Sequence, residues 1–272
     1  MTFVQRKNGE MIDLDSLGIR TRDFIVSSPA PLHNFEDEAM GYGQIDLGSS
    51  LGPRDITCLF RLTATDYIDF GYLRDEVFNL FRGDEAFYLI EKRNPGKRWL
   101  VKNKSPFTIP QTFVYGNFEV EFIAPSGLAE SLGTSLNPFE WDVDLWQWNM
   151  GIPFDDGYSY EHTSNNFMIY NAGTETVNPR SPHMKLRIEI QATAPSYLEL
   201  INQTTDDLYR YDGFLTTGDT LVLDGIRSTR NSLSVFRDTN GKLITLAPGE
   251  NRFEVRGAQL GRILFDFPFY YV

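Results

Sequence analysis

Short alternating strands closed by turn residues, one stretch of helical periodicity and a high aromatic content predict a mainly β chain with one main helix. The expected architecture is an N-terminal α+β domain over residues 1–138 and a C-terminal antiparallel β-sandwich or jelly roll over residues 139–272. The C-terminal half carries the clearest signal. Leu186–Ile190, Tyr197–Ile201, Leu221–Leu223, Leu233–Phe236, Lys242–Leu246 and Phe253–Val255 each alternate apolar with polar residues. They are separated by Ala194-Pro195-Ser196, Thr217-Gly218-Asp219, Asn240-Gly241 and Ala247-Pro248-Gly249-Glu250-Asn251. A period of two buries one face and wets the other, and regular spacing with turn residues points to a sandwich.

In the N-terminal half, Phe3–Lys7 and Glu10–Leu14 flank Asn8-Gly9 and predict a hairpin with a type I′ turn. Residues 26–53, rich in Ser, Pro and Gly, read as loop. The run Ile56–Leu62 is a strand with Cys58, Phe60 and Leu62 on one face. A helix over about 66–82 follows from Phe70, Leu73, Val77, Leu80 and Phe81 at helical spacing, with an aspartate at its start and Gly83 at its C′ position. Ala86–Glu91 and Arg98–Lys102 form a second hairpin, Phe118–Ile123 a further strand, and Pro125–Pro138 the linker between domains.

Composition narrows the function. The 272 residues suffice for two cores. The formal net charge of −12 is shared evenly, with 14 Lys+Arg against 20 Asp+Glu in residues 1–140. That balance argues against sequence-specific nucleic-acid binding, which needs a basic face. No apolar run reaches the length of a membrane span, and the N-terminus lacks the apolar core of a signal peptide. The lone cysteine excludes an internal disulfide and fits a buried structural thiol.

Catalytic and metal signals are weak. Gly48-Ser49-Ser50-Leu51-Gly52 matches G-x-S-x-G, but Pro53 and loop-like flanks replace the strand–turn–helix that a nucleophile elbow needs. His33, His162 and His183 stand apart from other ligands, and Asp142-Val143-Asp144 and Asp155-Asp156-Gly157 do not fit a calcium loop. No P-loop or dinucleotide fingerprint is present, so no enzyme activity, metal or cofactor is expected. Two candidate interfaces remain. Lys97, Arg98, Lys102 and Lys104, with Lys92 and Arg93 across the turn, read either as a patch for an acidic neighbour or as cations blunting an edge strand. Trp141, Trp146 and Trp148 read either as a platform for sugar rings or a partner, with Trp146 and Trp148 on one strand face, or as core between domains.

The order of several short motifs brings a family into view. They are the Asn8-Gly9 hairpin, the helix running into Gly83-Asp84-Glu85-Ala86-Phe87-Tyr88, and the Pro95–Val101 hairpin. In the β-module they are Tyr170–Thr174, Leu215–Leu221 and Leu246–Asn251. Over nearly its whole length the chain resembles the distal tail proteins of long-tailed bacteriophages that infect Gram-positive bacteria. The resemblance implies a split-barrel-like N-terminal domain that closes a hexameric ring, and a galectin-like C-terminal sandwich. It further implies a structural hub, assembled in the host cytoplasm, at the tail tip of the virion. There it would join the tail tube protein to tail-tip, baseplate and receptor-binding proteins around a channel for DNA. The alternative is a carbohydrate-binding module for host wall glycans.

Overall fold

The structure, a computed structural model, describes residues 2–37, 43–140, 145–152 and 157–272. The chain divides into two compact units, Met1–Ala129 with Val272, and Glu130–Tyr271. The second unit therefore begins at Glu130, ahead of the expected residue 139.

The first unit contains β1 (Thr2–Gln5), β2 (Met11–Asp13), β3 (Ile19–Val26), β4 (Pro31–Asp37), β5 (Gln44–Leu51), β6 (Arg54–Thr63), α1 (Asp69–Leu80), β7 (Phe87–Glu91), β8 (Lys97–Asn103) and β9 (Tyr115–Ala124). Seven of these strands pair in the order β2-β1-β7-β8-β9-β6-β3. The helix forms because Phe70, Val77 and Leu80 recur on one side and are buried. Its first turn is held by the Asp66 carboxylate, which accepts the Ile68 and Asp69 N–H groups at 2.8 Å. Phe81 continues the apolar side. Its ring stacks on Phe60 at 5.4 Å and meets Phe122 edge-on at 5.4 Å, so helix and sheet share one aromatic core.

Two turns differ from expectation. The β1–β2 connection, residues 6–10, is a loop in which only Gly9 takes positive φ (91°), while Asn8 accepts the Glu10 N–H. That geometry is a turn closed by a left-handed glycine, not type I′, which would need Asn8 left-handed as well. Gly83 does not cap the helix in the left-handed region. The Asn103 side chain instead donates to the Phe81 carbonyl at 3.1 Å. A Cβ at Gly83 would lie 3.4 Å from the Asn103 carbonyl oxygen, an ordinary contact.

The second unit contains β10 (Ala129–Thr134), β11 (Glu161–His162), β12 (Asn166–Asn171), β13 (Arg187–Thr193), β14 (Tyr197–Asn202), β15 (Asp207–Asp212), β16 (Leu221–Asp224), β17 (Arg227–Arg230), β18 (Leu233–Ser234), β19 (Gly249–Arg256), β20 (Gln259–Asp266) and β21 (Pro268–Tyr271). One sheet runs β11-β20-β13-β16-β17-β18 and the other β12-β19-β14-β15. Their inner faces meet through aromatic contacts such as Phe253 on β19 against Phe265 on β20, 5.0 Å apart. This is the antiparallel sandwich the alternation predicts.

Two segments correct the sequence reading. Ala129–Thr134, expected as linker, is a strand paired with β21. Its small polar residues are buried by hydrogen bonding: Ser131 Oγ accepts the Phe269 N–H and donates to the Gly133 carbonyl. Lys242–Leu246, expected as a strand, joins no ladder although Ile244 and Leu246 are buried. Leu246 makes a single backbone bridge to Val177, and side chains hold Thr245. The Asp207 carboxylate accepts the Thr245 N–H, and Asn202 donates to the Thr245 carbonyl.

Candidate assembly interfaces

The basic cluster of residues 92–104 does not form a free patch. Strand β8 lies inside the sheet, between β7 and β9, so Lys97, Arg98 and Lys102 do not guard an edge. The edges are β2 and β3. Lys92 donates to Asp13 at 2.8 Å and to Asp15 at 3.0 Å, and these hydrogen bonds raise its pKa. Arg93 pairs with Glu91. Arg98 donates to Gln5 at 2.9 Å with its guanidinium over the Tyr88 ring, and Lys104 bonds Asp55 at 2.7 Å, which raises the Lys104 ammonium. Partial burial lowers Lys97. Lys102 is exposed. Acids distant in sequence thus hold Lys92 and Lys104, the two ends of a run that looked continuous along the chain.

The tryptophans separate in the same way. Trp146 is buried in the second unit, donates to the Pro138 carbonyl at 2.8 Å, and packs against Phe139 and Phe269. Trp148 starts a short 3-10 turn and is 83% exposed. The two do not share a strand face, because this segment is not a strand. Trp141 lies outside the described residues, as do Asp142-Val143-Asp144 and the Asp155-Asp156 pair. The sugar platform therefore loses Trp146, which serves the core.

Gly48–Leu51 of the G-x-S-x-G segment fall on β5 in open solvent, and Gly52 follows the strand. Ser49 Oγ lies 2.7 Å from His33 Nδ1, and no carboxylate among the described residues contacts that imidazole. Ser50 sits on an extended strand with no helix behind it, so the elbow geometry is lacking. Cys58 is buried, and desolvation pushes its thiol pKa up, away from the thiolate a nucleophile needs.

One feature went unread in the sequence. Residues expected as loop form the β4–β5 hairpin, a two-stranded sheet of its own in which every strand residue is solvent-exposed. Pro31 pairs with Leu51, His33 with Ser49 and Phe35 with Asp46, which puts Phe35 and Leu51 on one face. Leu32 with Ser50, and Glu36 with Ile45, occupy the other. Each of these apolar side chains is about half exposed, from Leu51 at 45% to Phe35 at 52%. The odd-numbered apolar residues Ile45, Leu47 and Leu51 were the available signal, although folding puts Ile45 and Leu51 on opposite faces. The register shift leaves one residue more on β5, between Ser49 and Asp46, than on β4 between His33 and Phe35, which breaks the simple alternation along β5.

Comparison with known proteins agrees with this architecture. Residues 7–124, the bulk of the first unit, match the family described as phage tail protein RIFT-related domain. No curated protein sequence matches. Among solved structures, the fold is similar to the Dit (gp 19.1) protein of phage SPP1, described as a paradigm of the hub adsorption apparatus in phages infecting Gram-positive bacteria. That match has a TM-score of 0.71 at 11% identity and covers 100% of both chains. A chain of the phage P2 baseplate in its activated conformation aligns with a TM-score of 0.49 at 9% identity, covering 98% of this chain and 97% of that one. Residues 7–124 thus match a phage tail RIFT-related domain, and the chain along its length is similar in fold to the Dit protein of phage SPP1.

Proposed function

We propose that the chain is the hub of the tail tip, six copies closing a ring that joins the tail tube to the baseplate and receptor-binding proteins and passes DNA through its channel. The observation that carries this reading is the β4–β5 hairpin. A lone two-stranded hairpin is at best marginally stable in water, and this one shows apolar side chains on both faces. A neighbouring copy that receives the hairpin would bury those faces. The edge strands β2 and β3 offer that neighbour's chain unpaired backbone groups for sheet extension. A contact between unlike surfaces repeated by rotation closes into a ring. The net charge of −12 on each copy would keep a passing polyanion from adhering to the channel wall. Assembly takes place in the host cytoplasm, before the finished tail leaves the cell.

Light scattering and negative-stain imaging of the purified chain, alone and with a tail-tip partner, test the ring. Six-fold particles are expected. Phe35→Asp combined with Ile45→Asp should leave monomers that keep the parent melting temperature. Particles that persist in the double variant would remove the hairpin from the interface, and monomers under every condition would remove the ring.

A further inference from the structure

One end of the second unit carries a concentration of positive charge that its ion pairs do not absorb. Residues 178–187 and 224–243 hold seven Lys and Arg against two acids, Asp224 and Asp238, in a chain of net charge −12. Arg187 and Arg230 are held by Glu189 and Asp219. The side chains of Arg180, Lys185, Arg227, Arg237 and Lys242 make no ion pair among the described residues, and all five residues are exposed. Most cations on the sheet faces of the same unit are paired: Arg210 with Glu199, Arg256 with Glu254, Arg262 with Glu161.

Backbone geometry brings these five together. The Gly225 N–H donates to the Leu186 carbonyl at 3.1 Å, which ties the β16–β17 turn to the segment carrying Arg180 and Lys185. Pro179, Leu186, Gly225 and Leu243 close around one small cavity, so their sequence neighbours Arg180, Lys185 and Lys242 leave from the same end, with Arg227 just beyond the turn. The Val235 N–H donates to the Ser228 carbonyl at 3.0 Å, setting Phe236 and Arg237 beside them. Two apolar side chains stand exposed among the cations, Ile226 at 62% and Phe236 at 56%.

We infer that this end of the sandwich is a docking surface for an acidic protein segment that also presents apolar side chains. A phosphate-bearing polymer would engage the cations alone and leave Ile226 and Phe236 in water. A protein partner covers both, and interfaces are enriched in this mixture of arginine and aromatic residues. The inference does not depend on ring closure, since the surface belongs to the second unit and the ring reading rests on the first.

Binding of the full chain to an immobilised random Glu–Tyr copolymer, to poly-L-glutamate and to inorganic polyphosphate at low salt tests it. The copolymer should bind about tenfold tighter than either other probe, and added salt should weaken it. Arg227→Glu with Lys242→Glu should lower copolymer affinity about tenfold at unchanged melting temperature, and Phe236→Ser should erase the preference over poly-L-glutamate. Equal or tighter binding of polyphosphate, indifference to the double variant, or no binding would overturn the proposal. None of these results bears on the particle seen by negative stain.

Discussion

The Arg230 guanidinium donates at 2.9 Å to the Asp219 carboxylate, which also accepts from the Thr216 N–H and hydroxyl at 2.8 Å and from Asn231 at 2.7 Å. One carboxylate thus ties the 216–219 turn to the β17–β18 turn. These donors, Arg230 foremost, hold the Asp219 pKa well below the usual carboxylate range. A depressed folded-state pKa stabilises the fold fully above the unfolded value of about 4, and that contribution fades as pH falls further. Thermal melts should show the parent losing stability below about pH 4 more steeply than Asp219→Asn, which starts lower at neutral pH. Parallel curves for the two proteins would sink this account.

Cys58 should resist a thiol reagent in the native chain. Its side chain is inaccessible and desolvation favours the neutral thiol. Labelling should run at least about a thousandfold slower than in denaturant, because reaction waits for opening of the β3-β6-β9 region. Rapid labelling of folded protein would contradict the buried placement.

Phe81 joins helix to sheet through Phe60 and Phe122. Phe81→Ala should cost about 3–5 kcal/mol, whereas Phe81→Leu should cost under about 1.5 kcal/mol. Urea titration followed by circular dichroism distinguishes them, and equal losses would mean that the ring packing contributes little.

Phe113 occupies a two-residue turn closed by mutual hydrogen bonds between Thr112 and Tyr115, with φ of 59° and 74% exposure. A bulky residue is strained in that region and glycine is not. Phe113→Gly should therefore stabilise the first unit by about 1 kcal/mol, read as a higher urea midpoint. A lower midpoint would show that the exposed ring packs more tightly than its accessibility indicates.

Much of the fold was legible one residue at a time. Cys58, Phe60 and Leu62, read as one face, are all inaccessible. The helix predicted near 66–82 forms at Asp69–Leu80. Alternation located Ile188, Ile190, Leu198, Leu200, Phe253 and Val255 in the sandwich interior, where they lie. The interfaces were harder to read. The charge of Lys92 and Lys104 is compensated by Asp13, Asp15 and Asp55, far away along the chain. The cations of residues 92–104 fitted an exposed edge strand, yet their strand β8 is interior, between β7 and β9. The 178–187 and 224–243 segments lie far apart along the chain, and the β13–β16 pairing with the Gly225–Leu186 bond unites them.

Local pattern by itself decided which side chains of β6, β13, β14 and β19 face inward, that the chain is mainly β with one helix, and that it is acidic overall. Periodicity does this because each residue's face follows from its immediate backbone. Which strands are neighbours, which charges meet, and which apolar residues stay uncovered on the β4–β5 hairpin were decided only on folding. Those outcomes depend on pairing between segments distant in sequence, such as β6 with β9, and no local pattern encodes the distance between them.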